Sequence, residues 1–262
     1  MNRPRLQHVC INGLRCAFIA AGEGPSLVLL HGWGASLNLM WPLAEQLAAA
    51  GFRVYAPDLP GFGSSEAPST AWSVGDYAAF VTAFLDSQEL QRVDLGGHSF
   101  GGRICLKLGA DSPERIRRLL LFNAAGLRRQ SILTSRLRPG LFRCMRAVLR
   151  GLRLNALAEG LGEWYHERYA SADYKMASGV MKPTFVRVVN EDLRPYAARI
   201  RPPALIFWGD RDEETPLWMG KELERLIPDA GLVIQEDAGH YSYLERLADT
   251  ARVISYFLRE AN

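Results

Sequence analysis

Cysteine is scarce: the 262 residues contain four, Cys10, Cys16, Cys105 and Cys144, with no C-x-x-C pair. That excludes a disulfide framework, and the thiols are expected to stay reduced. Long apolar runs are also missing. Asn12, Gly13 and Arg15 interrupt the opening stretch, Met1 to Ala21, before it could form a signal peptide or membrane span. The chain is therefore expected to be soluble and cytoplasmic. An excess of one charge is lacking too, because 31 Lys plus Arg against 28 Asp plus Glu leave only +3. Such a balance argues against nucleic acid as a partner. There is no internal repeat, low-complexity tract or linker. With 48% hydrophobic residues, one domain around a large core is expected. The oligomeric state stays open.

What is present is an alternation of short Val/Leu/Ile-rich runs with longer amphipathic stretches, the pattern of a mostly parallel sheet covered on both faces by helices. Asn12-Gly13 predicts a two-residue hairpin in which Ile11 faces Leu14, Cys10 faces Arg15 and Cys16 faces Val9, a register that sets Cys10 and Cys16 out of line for a disulfide. Strands are predicted at Ser26 to Leu30, Arg53 to Ala56, Arg92 to Gly97, Arg118 to Phe122, Ala204 to Trp208 and Gly231 to Gln235, with a helix over Leu37 to Ala50. His31, Asp58, Ser99, Asp212 and His240 fall at or just beyond strand carboxyl ends, where open α/β sheets place their ligand crevice. The alternation fails between about residues 125 and 201, too long for a structureless loop. We read that stretch as a helical cap inserted after the sixth main strand, with residues 1–124 and 202–262 as the core. Its first half is basic: Arg128, Arg129, Arg136, Arg138, Arg143, Arg146, Arg150 and Arg153 precede the first acid, Glu159.

The most specific chemical signal is Gly97-His98-Ser99-Phe100-Gly101, which follows an apolar strand and opens a helix predicted over Arg103 to Leu108. This is the context of a nucleophile elbow. A serine needs a base and an orienting acid, in the chain order Ser, Asp or Glu, His. Asp237-Ala238-Gly239-His240 follows the last strand and supplies the base, while His31 and His98 read as local backbone partners. Trp208-Gly209-Asp210-Arg211-Asp212-Glu213-Glu214 offers several acids. Asp212, three residues after Gly209, is preferred over Asp210, whereas Glu213 and Glu214 read as first-turn acids of a helix starting at Pro216. Two amides for an oxyanion are expected from Phe100 and from Trp33 in the His31-Gly32-Trp33-Gly34 loop. The turn Asp58-Leu59-Pro60-Gly61-Phe62-Gly63-Ser64-Ser65 reads as a brace for these loops. The scheme uses no metal and no organic cofactor.

Together, H-G-W-G, D-L-P-G-F-G-S-S, G-H-S-F-G-G, W-G-D-R-D and A-G-H resemble the α/β-hydrolase superfamily over essentially the whole chain. The resemblance implies a Ser-His-Asp acyl-enzyme mechanism on Ser99, His240 and Asp212. Ser99 argues against the dehalogenase and epoxide-hydrolase branches, which carry aspartate there. The chain is similar to bacterial carboxylesterases that demethylate pimeloyl-acyl-carrier-protein methyl ester, although their elbow is usually G-W-S-x-G. Gly101-Gly102-Arg103 keeps a cofactor-free lyase in view, and carbon–carbon bond hydrolases usually carry Trp where Tyr241 follows the histidine. A non-catalytic receptor is the remaining alternative. The expected substrate is a small-molecule or carrier-bound acyl ester. Arg143, Arg146 and Arg150 are candidates for an acidic carrier protein or anionic substrate, and Trp164, Tyr165 and Tyr169 for an apolar acyl pocket.

Overall fold

Asn12 and Gly13 make the first turn with φ of 50° and 83°, the left-handed pair that suits the twist of a two-residue hairpin. It joins β1 (Gln7–Ile11) to β2 (Leu14–Ala21), with Ile11 opposite Leu14, Cys10 opposite Arg15 and Val9 opposite Cys16. The observed register is the expected one, and all four cysteines are free. The computed structural model describes residues 4–128, 144–145, 147–152, 154–155, 157, 159 and 171–259.

Six further strands follow: β3 (Ser26–Leu30), β4 (Arg53–Pro57), β5 (Val93–His98), β6 (Ile116–Phe122), β7 (Ala204–Gly209) and β8 (Ala230–Gln235). They complete a sheet of order β1-β2-β4-β3-β5-β6-β7-β8. β2 runs against both its neighbours, and β3 to β8 are parallel. Parallel neighbours require crossovers, which become helices on the faces. Within residues 4–127 and 171–259 the α-helices are α1 (Leu37–Ala49), α2 (Val74–Ser87), α3 (Phe100–Asp111), α4 (Ala172–Met176), α5 (Met181–Asn190), α6 (Arg194–Ala197), α7 (Trp218–Leu226), α8 (Ser242–Glu245) and α9 (Leu247–Arg259). α1, α8 and α9 pack together on one face, and α2, α3, α6 and α7 cover the other. Alternate strand residues feed the first layer: Leu27, Leu29, Leu120, Phe122 and Phe207 meet Leu43, Leu47, Ile254 and Leu258. Each such side chain contributes about 1.5–3 kcal/mol on burial. No described helix is long and apolar enough to cross a membrane.

The chain divides into two compact units, residues 1–127 with 179–262, and residues 128–178. The second is shorter than the stretch of broken alternation, and hydrogen bonds explain the difference. The Leu193 N–H donates to the Gly126 carbonyl at 2.9 Å. The buried Arg103 guanidinium donates to the carbonyls of Val188 and Glu191 at 2.8 and 3.0 Å, tying α5 and its exit to α3. Arg103 is thereby committed to the scaffold.

A single residue, Ser99, separates β5 from α3. Ser99 sits at φ 49°, ψ −105°, a conformation costing of order 1–3 kcal/mol that the surroundings must hold. A Cβ on Gly97 would stand 2.4 Å from the Gly101 carbonyl, and one on Gly101 would stand 2.5 Å from the Leu30 oxygen. Gly101→Ala is therefore expected to lower the unfolding free energy by about 3 kcal/mol. Gly75→Ala in α2, where the nearest atom is an ordinary 3.5 Å away, should be neutral or stabilise by about 0.5–1 kcal/mol. Urea unfolding of the two variants checks the contrast.

Candidate active site

Six polar residues collect at the carboxyl edge of the parallel strands: His31 after β3, Asp58 after β4, Ser99 after β5, Asn123 after β6, Asp212 after β7 and His240 after β8. The densest contacts surround Asp212, which is 5% exposed. Its Oδ1 accepts the N–H groups of Glu214 and Thr215, both at 2.9 Å. Its Oδ2 accepts from Asn123 Nδ2 at 2.6 Å and His240 Nδ1 at 2.8 Å, and lies 2.6 Å from the Thr215 hydroxyl. Burial alone would raise this carboxyl, but the bonds from His240 and Thr215 prevail and lower it to about 2. Asp212 is thus an anion with every lone pair addressed, and it fixes the Nδ1–H tautomer of His240.

Asn123 extends the network. Sitting at φ 44°, it also donates to the Gly239 carbonyl at 3.3 Å and accepts from Ser242 Oγ at 2.6 Å. The loop carrying His240 is therefore pinned on both sides of the imidazole. Asn123, Thr215 and Ser242 were missed by sequence reasoning. The strand-end rule that selects Ser99 and Asp212 also points to Asn123, whereas Thr215 and Ser242 carry no distinguishing pattern.

His98 brings the elbow to the same place. Its Nε2–H donates to the His240 carbonyl at 2.9 Å, and the two rings lie 4.7 Å apart. Burial, with His240 beside it, pushes the His98 imidazole down to about 3, so it acts as a neutral donor. Ser99, next in sequence, is half-buried, and its N–H donates to the Phe122 carbonyl at 3.0 Å. The hydrogen bonds of the His240 ring among the described residues run to Asp212 and Thr215, and not to Ser99 Oγ. Catalytic hydrogen bonds commonly tighten only when substrate binds.

The glycine loop after β3 is braced from below. His31 Nδ1 donates to the Gly32 carbonyl at 2.7 Å while Nε2 accepts the Leu59 N–H at 2.9 Å; burial keeps this imidazole low and neutral. Asp58 accepts the N–H groups of Leu37 and Ser64 at 2.7 and 2.8 Å, so the Asp58 turn braces two loops as expected. Trp33 packs edge-on against Phe62, Phe100 and Phe185 at 4.8–5.3 Å. Neither the Trp33 nor the Phe100 amide donates to a backbone carbonyl among the described residues.

Other expectations fare differently. Asp210 is exposed, with its backbone N–H on the Gln235 carbonyl, and Asp212 is the acid that bonds His240 Nδ1. Glu213 and Glu214 are not first-turn acids, because α7 begins at Trp218 and Asp212 holds the intervening chain in a side-chain-capped turn. Glu214 instead places its carboxylate 3.4 Å from His240 Nε2. Arg150 is exposed in the second unit. Arg143, Arg146, Trp164, Tyr165 and Tyr169 lie outside the described residues.

A family model described as the alpha/beta hydrolase fold matches residues 25–247. A 2-hydroxymuconate semialdehyde hydrolase from Pseudomonas sp. (strain CF600) is 29% identical over all of this chain and 96% of its own length. Two solved structures are similar. One is a bacterial membrane phospholipase A, 29% identical with a TM-score of 0.75 over 97% of this chain and 85% of its own. The other is an enol-lactonase from Burkholderia xenovorans LB400, 26% identical with a TM-score of 0.73 over 97% of this chain and 100% of its own.

The Asp212 network sets a pH dependence. Its folded value is depressed to about 2 from the ordinary 3.8, so the associated stability is present above about 4 and is lost as pH falls through about 2. The advantage of wild type over Asp212→Asn in urea unfolding should shrink by about 2 kcal/mol between pH 5 and 2. A difference independent of pH over that range would contradict the assignment.

Proposed function

The chain belongs to the α/β-hydrolase fold family, and from that premise we propose that it is a serine hydrolase cleaving carboxylic esters through an acyl-enzyme. The observation that carries this reading is the buried Asp212–His240 pair, held against the strained elbow that presents Ser99. His240 Nε2 removes the Ser99 proton while Asp212 steadies the Nδ1–H and the imidazolium that forms. Ser99 Oγ attacks the acyl carbon, and the Trp33 and Phe100 amides receive the oxyanion. His240 returns the proton to the departing alcohol or thiol. A water deprotonated by the same imidazole then releases the acid and restores Ser99.

A second reading has a specific ground: the full-length similarity to a 2-hydroxymuconate semialdehyde hydrolase supports carbon–carbon bond hydrolysis on the same residues. One feature favours the ester: Tyr241 stands where the carbon–carbon hydrolases usually carry Trp.

Hydrolysis of p-nitrophenyl esters from acetate to decanoate tests the proposal. Expected are a burst of p-nitrophenol equal to the enzyme present, a chain-length optimum, and a loss of about a millionfold in kcat for Ser99→Ala. Turnover of 2-hydroxymuconate semialdehyde with no ester turnover would establish the second reading instead.

A further inference from the structure

A buried polar atom without a partner costs stability, and the elbow keeps one. His98 is 2% exposed, and its Nδ1 has no hydrogen-bond partner among the described residues. Burial pushes the imidazole down to about 3, so the ring holds a single proton. That proton is on Nε2, which faces the His240 carbonyl at 2.9 Å. An apolar side chain of similar size would strand no acceptor, so the imidazole has a use other than stability. Its surroundings supply one. The ring packs against those of His240, Tyr241 and Tyr243 at 4.7, 4.9 and 5.1 Å. It also touches the glycine loop, because a Cβ on Gly32 would stand 2.9 Å from His98 Nδ1. The remaining anchors hold these parts separately. Ser99 is tied to the end of β6, its N–H on the Phe122 carbonyl and its carbonyl accepting the Ala125 N–H. The loop carrying His240 is tied to Asn123, Asp212 and Glu245. Among the described residues, the hydrogen bond that crosses from the elbow to that loop is the one His98 makes.

We propose that His98 is a positioning residue for the hydrolysis: its bond to the His240 carbonyl sets how closely the base approaches Ser99, and its contact with Gly32 carries the same register to the glycine loop. The proposal rests on the serine-hydrolase reading. Ser99 Oγ and His240 Nε2 must come within about 3 Å for the proton to pass, and a displacement of about 1 Å costs on the order of 10²-fold in rate. Ser99 follows His98 directly, so a bond made by residue 98 to the backbone of the base fixes that approach with no flexible chain between. With Nδ1 uncommitted, the Nε2 bond alone decides how the ring is turned. The effect belongs in kcat, since His98 acts on the spacing of two reacting groups and not on the grip on substrate.

The test is steady-state hydrolysis of p-nitrophenyl acetate by wild type, His98→Gln, His98→Asn and His98→Leu, with urea unfolding of each. His98→Gln carries an amide N–H to the place of Nε2, His98→Asn carries one only to the place of Nδ1, and His98→Leu carries none. Expected is a fall in kcat of about 10²-fold for His98→Leu and His98→Asn, with KM within about threefold of wild type, and recovery to within about fivefold of wild type in His98→Gln. The urea midpoints should not follow that order, which separates positioning from stability. The low-field proton resonance of His240 Nδ1–H should persist in His98→Leu, because the bond to Asp212 does not pass through His98. His98→Leu or His98→Asn as fast as His98→Gln, a loss carried by KM, or activity that tracks the urea midpoint would each overturn the proposal. Absence of any ester turnover by wild type would instead overturn the serine-hydrolase reading, and this proposal with it.

Discussion

The arrangement at the carboxyl edge of the sheet depends on one buried anion. A carboxylate removed from water is tolerated only when its lone pairs are answered, and Asp212 is answered by groups from three strand ends: Asn123 after β6, Glu214 and Thr215 after β7, and His240 after β8. None of these partners can shift without leaving a charge stranded in the interior. The same bonds that satisfy the anion therefore decide where the His240 imidazole stands and which nitrogen carries its proton. Ser242, on α8, extends the constraint by bonding to Asn123.

Two neutral histidines transmit this order to the elbow and the glycine loop. His98 couples the elbow to the His240 backbone, and His31 couples the glycine loop to the Asp58 turn. Burial keeps both imidazoles low, so neither adds a charge beside the His240–Asp212 pair. The strain at Ser99 is held by close backbone approach, because Gly97 and Gly101 leave no room for a Cβ. Electrostatics thus fixes one half of the site and steric packing the other.

Much of this was legible in the chain. Period and turn chemistry suffice for the hairpin register, since a two-residue Asn-Gly loop permits only one pairing. The strands showed because buried parallel strands are continuous apolar runs, and the elbow showed because its glycines are sterically required. Less legible were contacts made across long sequence separations. Nothing local to Asn123, Thr215 or Ser242 announces that they meet around Asp212, and the length of the inserted unit depends on carbonyls gathered by Arg103 from 85 and 88 residues away. Glu214 was misplaced for a related reason. Helix-start signals suggested Pro216, but the Asp212 side chain captures the amides of Glu214 and Thr215 and delays the helix to Trp218.

The central claim is that the Asp212–His240 pair activates Ser99. It is tested most directly by intact-mass measurement of labelling by an alkyl fluorophosphonate, with the adduct mapped by peptide sequencing. The account predicts one adduct per chain, on Ser99, formed about 10⁴-fold more slowly in folded Asp212→Asn. Labelling at another residue, no labelling, or a rate unchanged by that substitution would contradict it.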